Sequence, residues 1–305
     1  MNSRNLLPQF LLLGLFWSVS PSVYRHLADV GMPVSHTVAL SGLAVGVIMF
    51  AIALLRRGWR SIDRRIVVYG FGCAFLLNIP YGLNLVMAAY VPPTELAIVI
   101  TLSPFFAFLV ASAMQHEAPS GRKLIAITFG FVSTLVLILS RQGTLSGHIS
   151  LPLIISLAVP LLYSGYNTFA ARAWPKGADT LQAGAFESLW SGLLAMPFLL
   201  WFAPFNSPSL PPLADYWLLG LMSLMWVLER LVYFTLITEK GAVYTVQATY
   251  LSTPGAVIIA ALFFGGVADV WLWISLALLM VALYLNNTGA KNVPLPPTSP
   301  ESHPV

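Results

Sequence analysis

The sequence predicts an all-α polytopic membrane protein: ten transmembrane helices forming two inverted five-helix repeats around a central cavity. Three observations predict it. Of 305 residues 58% are apolar and only 9% charged, against roughly a quarter charged in a soluble domain. Ten mostly apolar runs recur, each about 17 to 25 residues long and so able to cross roughly 30 Å of hydrocarbon as a helix. The second five runs echo the first five. The runs are continuously apolar rather than alternating, which argues against a β-barrel.

The first helix, residues 6–24, follows Arg4. It reads as a retained span rather than a cleaved leader, because Tyr24, Arg25 and His26 stand where a small-residue cleavage site would lie. The second, 36–55, carries Gly42-x-x-x-Gly46, a close-packing motif, and stops at Arg56-Arg57. The third, 66–89, follows Arg64-Arg65. The fourth, 94–115, opens on Pro92-Pro93-Thr94-Glu95, where an acidic first turn suits the helix dipole. Arg122-Lys123 precede the fifth, 124–140, and the sixth runs over 151–171. Asp179-Thr180 reads as the N-cap of the seventh, 180–203. The eighth, ninth and tenth are expected at 215–237, 242–264 and 270–286. Five prolines between Lys291 and Val305 leave residues 289–305 as a disordered cytoplasmic tail.

With the N-terminus inside, all 15 Lys and Arg fall on the inner side except Arg25, Arg141 and Arg230. This asymmetry is what the positive-inside rule demands, so the net charge of +4 reports topology and not nucleic acid binding. Both ends are expected in the cytoplasm. Trp201, Tyr216, Trp217 and Trp271 at outer ends, with Trp59 and Trp174 at inner ones, read as an interfacial belt.

A shift of 150 aligns helices three to five with eight to ten, placing Gly70 on Gly220 and Pro104 on Pro254. A shift of 146 aligns the earlier helices, placing Trp17-Ser18 on Tyr163-Ser164 and the Gly42 motif on Ser188-x-x-x-Gly192. Five spans per copy is odd, so the second copy inserts upside down, as in many secondary transporters. The two repeats are expected at residues 1–145 and 146–288.

The pattern of Trp17-Ser18 in the first helix, Ser103-Pro104 in the fourth and His116-Glu117 before a basic turn resembles the EamA-like transporters of the drug/metabolite transporter superfamily. The resemblance spans residues 6–286. It implies ten helices in two inverted repeats, a cavity lined mainly by helices one to four and six to nine, and movement of metabolites such as amino acids. It also departs from the family: Glu117 closes the fourth helix, but its counterpart after the ninth is Val267, with Asp269 two residues on.

Ionisable groups inside spans are costly and usually face inward with a partner. Glu187 and the Glu229-Arg230 pair are the outstanding cases. Glu187 and Arg230 lie at similar depth, roughly 10 to 12 Å from the inner ends of consecutive antiparallel helices. Glu229 and Arg230 point about 100° apart and are expected to be poor partners. Arg230 is therefore expected to meet Glu187, a substrate carboxylate, or each in turn; a permanent structural pair is the other reading. A desolvated carboxylate can carry a proton, so proton coupling stays open. Asn78, Tyr81 and Asn84 share a face of the third helix, Thr94, Thr101 and Pro104 of the fourth, and Gln247, Tyr250 and Pro254 of the ninth. Tyr163, Tyr166 and Asn167 crowd the sixth. Trp226, Tyr233 and Tyr250 lean toward an amphipathic or aromatic ligand, and Trp17 is expected among the substrate-binding residues. Pro104 and Pro254 are expected to kink their helices.

The five His have no metal-binding spacing, and no P-loop, GxSxG or dinucleotide motif occurs. No metal or cofactor is therefore expected, and no enzyme. The functional expectation is a secondary transporter moving a small amphipathic or anionic metabolite, amino acid or related compound across a bacterial inner membrane, by export. A lipid flippase or membrane-embedded lipid enzyme is the alternative. The expected partners are the substrate and the bilayer, for a monomer or homodimer.

Overall fold

The computed structural model describes residues 5–57, 62–91, 96, 99–100, 102–113, 121–139, 151–206, 212–264 and 270–289. The regular elements among these residues are all helices, with no strand among them. In order, α1 spans Leu7–Asp29, α2 Val34–Arg57, α3 Arg64–Ala88, α4 Ser103–Ala113 and α5 Gly121–Leu139. A short helix, Leu151–Ser156, leads into α6, Ala158–Arg172, and α7 spans Thr180–Asn206. A 3-10 turn, Leu213–Asp215, precedes α8, Tyr216–Lys240. Another short helix, Ala242–Val246, precedes α9, Thr249–Phe264, and α10 spans Val270–Gly289. Thr94, Glu95, Thr101, Glu117, Val267, Asp269 and the proline-rich tail lie outside the described residues.

Four helical segments, Val34–Arg56, Arg64–Ala88, Leu151–Arg172 and Leu213–Lys240, are long and apolar enough to cross a membrane. Large apolar side chains also cover the outside of the bundle. Phe71, Phe75 and Ile79 form an exposed row on α3, and Leu221, Leu224 and Leu228 one on α8, each of these leucines more than half exposed. Buried Glu187, Gln247, Thr245 and Ser164 lie inside. This polarity inverts that of a soluble domain and suits a lipid surround.

Local chemistry moves several helix ends away from the expected limits. The Asp63 carboxylate accepts the Arg65 amide at 2.9 Å, capping α3 two residues before its apolar run begins. α1 continues to Asp29, where Arg25 and Asp29 pair at 2.9 Å one turn apart. The sixth expected span is interrupted at Leu157, and the ninth at Gln247–Ala248. Gly241 joins α8 to the following short helix at φ +83° and ψ 174°, a conformation open essentially to glycine alone. A Cβ there would meet nothing within 4 Å, so only backbone strain opposes a side chain. Gly241→Ala is expected to cost about 1–3 kcal/mol, read as a lower unfolding temperature in detergent; an unchanged temperature would remove the strain argument.

The closest packing is between α2 and α7. A Cβ on Gly42 would lie 2.6 Å from the Gly192 nitrogen, and one on Gly46 would lie 2.5 Å from that of Leu189. The two small-residue motifs thus meet each other, backbone against backbone. Around this contact α3 packs on α7 and α2 on α8, α1 on α9 and α4 on α6, α3 on α6 and α1 on α8, while α5 pairs with α10. Ser18 of α1 donates to Gly14 O and reaches Leu251 O of α9 at 3.5 Å. Ser164 of α6 donates to Pro160 O and reaches Ser103 O of α4 at 3.3 Å.

Two apolar clusters separate the middle of the bundle from its ends. Phe10, Tyr69, Phe234 and Tyr244 pack together where α1 and α3 begin and α8 ends. Leu27, Met32 and Met222, with Tyr24 and Trp226 against them, pack where α1 ends and α8 begins.

Candidate functional site

Between those clusters lies a cavity with about 1180 Å³ of empty space, counted out to its open mouth. Its walls come from α1 to α4 and α6 to α9 or the turns beside them; α5 and α10 contribute none of its lining. From α1 come Trp17, Ser20, Pro21 and Tyr24, and from α2 Ser41, Gly42 and Val45. Tyr81 and Asn84 project from α3, Tyr163, Tyr166 and Asn167 from α6, and Ser188 and Ser191 from α7. The charged contribution is that of α8, with Trp226, Glu229, Arg230 and Tyr233 one turn or less apart.

The charged groups form one cluster. Arg230 Nε lies 3.8 Å from Glu187 Oε2 and 3.6 Å from Glu229 Oε2. The expectation that Glu229 and Arg230 would be poor partners is corrected here. Their Cβ atoms do diverge, but the long arginine stem bends back far enough for its nitrogen to stand between two carboxylates. Both separations exceed hydrogen-bond length, and neither Oε2 atom makes a hydrogen bond. The other oxygens are held: Tyr166 OH donates to Glu187 Oε1, and Trp17 Nε1 donates to Glu229 Oε1 at 2.9 Å. Glu187 is fully buried behind the wall, whereas Glu229 lines the cavity.

Aromatic rings surround the cluster. Tyr166 and Tyr233 stack with centroids 5.7 Å apart, and Tyr233 lies 5.9 Å from the guanidinium carbon of Arg230. Tyr233 OH donates to Asn167 Oδ1 at 2.6 Å, and Asn167 Nδ2 donates to Tyr163 O at 2.7 Å. Further along the cavity the Trp226 ring meets Tyr81 edge-on at 5.8 Å, and Tyr24 lies 5.9 Å from Tyr81. Asn84 Oδ1 is buried without a hydrogen bond.

Of the residues singled out from sequence, Trp17, Tyr81, Asn84, Tyr163, Asn167, Trp226, Glu229 and Arg230 come together on this wall. Asn78, Gln247 and Tyr250 are not among the lining residues. Asn78 is drawn into the α3–α7 contact, where it donates to Ser191 O at 3.0 Å and accepts from the Ser191 hydroxyl. Tyr250 points to α5, donating to Ile127 O at 3.2 Å with its ring over Gly130. Gln247 is buried with Nε2 unpartnered. Pro254 stands inside α9, but Pro104 occupies the first turn of the described α4, where a missing N–H disrupts no helical bond. Sequence reasoning passed over the hydroxyls Ser20, Ser41, Ser188, Ser191, Thr249 and Ser252. The Ser188 motif could have pointed to two of them, since one helix face carries both the small-residue contact and Ser191.

A helical bundle with a lipid-like exterior and a polar, charged cavity built by both halves of the chain is a multi-pass membrane protein. Residues 7–139 match the model of the EamA-like transporter family, which bears out the resemblance read from Trp17-Ser18 and Ser103-Pro104 over that stretch. The chain is also similar to a solved structure described only as "Crystal structure of protein", with 15% identity and a TM-score of 0.73 over 94% of this chain and 99% of that one. At that identity the likeness concerns the fold alone. No curated protein matches the sequence.

Proposed function

We propose that the chain is a secondary transporter of two inverted five-helix repeats. In this reading both its ends are cytoplasmic in a bacterial inner membrane, and it exports a small amphipathic metabolite, an amino acid or related compound, by alternating access. The observation that carries this reading is the cavity itself, walled by four helices from each half and floored by a charged cluster. The packing supports the repeat. Exchanging each helix of α1–α5 for its counterpart in α6–α10 turns α3–α7 into α8–α2, α1–α9 into α6–α4 and α3–α6 into α8–α1, and all six contacts are present. Ser18 reaching Leu251 on α9 and Ser164 reaching Ser103 on α4 join corresponding pairs of helices, with acceptors two residues apart in the repeat register. A two-fold frame of this kind lets the halves exchange conformations and open one site to either side in turn.

Labelling tests the reading. Cys73 is buried and is the single cysteine, so Cys73→Ser supplies a thiol-free background. Ser41→Cys in that background places a thiol on the cavity wall. A membrane-impermeant maleimide is expected to modify it from one face of sealed vesicles and to be slowed by saturating substrate. Counterflow of labelled phenylalanine and leucine into proteoliposomes should exceed that of protein-free vesicles. Equal labelling from both faces, together with no flux above the empty vesicles, would sink the proposal.

A further inference from the structure

Charge and hydrogen-bond accounting at the cavity identify which end of a ligand the site would take. With both carboxylates ionised, Glu187 and Glu229 set two negative charges against the one positive charge of Arg230, which leaves the cluster one cation short. The shortfall lies on the cavity side. Arg230 is shared, 3.6 Å from Glu229 and 3.8 Å from Glu187, but Glu187 is fully buried behind the wall and held by Tyr166, so a ligand in the cavity cannot reach it. Glu229 is 4% exposed, lines the cavity and keeps Oε2 without a hydrogen bond. Several donors that would suit an anion are already engaged: Trp17 Nε1 on Glu229, Tyr166 OH on Glu187 and Tyr233 OH on Asn167. Without a hydrogen bond on the wall are Glu229 Oε2, Asn84 Oδ1 and the Tyr81 hydroxyl, two acceptors and a group that can accept or donate, and beside them stand aromatic rings from Trp17, Tyr24, Tyr81 and Trp226. Carboxylate and ring faces together attract a cation, most strongly where water is excluded.

We propose that this cavity binds the ammonium group of an organic cation, with Glu229 as its counter-ion and Trp17, Tyr24, Tyr81 and Trp226 as the surrounding aromatic wall. Arg230 acts here by holding Glu187 neutralised and placing Glu229, and not as a clamp for a substrate carboxylate. The inference rests on the transporter reading for its role and not for its chemistry.

Three probes sharing one carbon frame test it: phenethylamine, phenylalanine and 3-phenylpropionate carry charges of about +1, 0 and −1 at neutral pH. Binding to the purified full-length protein is followed by thermal shift and by the fluorescence of the cavity tryptophans. The expected order of affinity is phenethylamine, then phenylalanine, then phenylpropionate, with Glu229→Gln weakening phenethylamine about tenfold or more, as loss of a charge-assisted contact does. Should Glu229→Gln fail to fold, Trp226→Leu and Tyr24→Leu, which remove two ring faces and no charge, are expected to weaken phenethylamine more than phenylpropionate, because only the cation loses an attraction to the ring faces beyond apolar contact. Tighter binding of phenylpropionate, or binding of none of the three at about 1 mM, overturns the cation site. Phenethylamine that binds tightest while neither it nor phenylalanine or leucine is carried into proteoliposomes leaves the site standing and removes the transporter reading. Flux of phenylalanine with no preference for phenethylamine does the reverse.

Discussion

Gly42→Leu is expected to prevent the bundle from closing. A Cβ at this position would stand 2.6 Å from the Gly192 nitrogen, 2.9 Å from its Cα and 3.1 Å from Ser188 O, all of them backbone atoms of α7. Backbone cannot swing aside as a side chain can, so α2 and α7 must separate to admit even one carbon. Overpacking a core ordinarily costs about 1–3 kcal/mol, and a leucine at this contact belongs at or beyond the upper end of that range. The complementary change, Gly192→Leu, meets the Leu43 nitrogen at 2.6 Å and should behave alike. Gly220→Leu is the control. It sits on the exposed side of α8 with nothing within 4 Å, and exchanging glycine within a helix should gain up to about 1 kcal/mol there. Unfolding temperatures in detergent, read beside size-exclusion profiles, separate the cases. A Gly42→Leu protein as stable as the unsubstituted one would mean that the helices do not meet in this way.

The same contact shows what the sequence could and could not convey. Gly42-x-x-x-Gly46 and Ser188-x-x-x-Gly192 were legible as close-packing motifs because only small residues let helix backbones approach. That they pack on each other follows from three-dimensional arrangement, which spacing does not contain. The apolar runs located the helices for a similar reason, since a bilayer imposes length and composition directly. Where the residues singled out from sequence and the cavity lining differ, the cause is a partner at a distance. Asn78 shares a helix face with Tyr81 and Asn84 but is claimed by Ser191, and Tyr250 is claimed by Ile127 and Gly130. The breaks at Leu157 and at Gln247–Ala248 leave the apolar pattern intact and are invisible to it.

The hydroxyls of the cavity wall were illegible on different grounds. A serine in a membrane helix can bond the carbonyl one turn back, as Ser41 does to Thr37, Ser18 to Gly14 and Ser223 to Leu219. Such a serine is equally at home facing lipid, a neighbouring helix or a cavity, and its type alone decides nothing. Carboxylates and guanidinium lack that freedom. Glu187, Glu229 and Arg230 stood out in the sequence, and they are also the groups the fold gathers, because no other arrangement would meet their desolvation cost.

That cost makes Arg230→Ala the second large effect. The substitution leaves Glu187, fully buried, and Glu229, nearly so, with no cation between them. Removing one member of a buried charge pair typically costs about 3–5 kcal/mol, most of it the stranded charge rather than the lost attraction. Glu187→Gln strands nothing: Arg230 keeps Glu229, and Tyr166 can still donate to the amide oxygen. Its expected cost is therefore only about 1 kcal/mol, that of one neutral hydrogen bond in place of a charged one. The decisive variant combines Arg230→Met, Glu187→Gln and Glu229→Gln. If Arg230 serves as the internal counter-ion, removing all three charges together should recover most of the stability lost in Arg230→Ala, because no group is then left charged and unpaired. The recovered protein should nevertheless bind phenethylamine more weakly, by about tenfold or more, since the Glu229 charge is gone. A triple variant as unstable as Arg230→Ala would instead assign the arginine's contribution to its stem packed beside Tyr233 and Gly184, and would take the charge balance out of the account of this site.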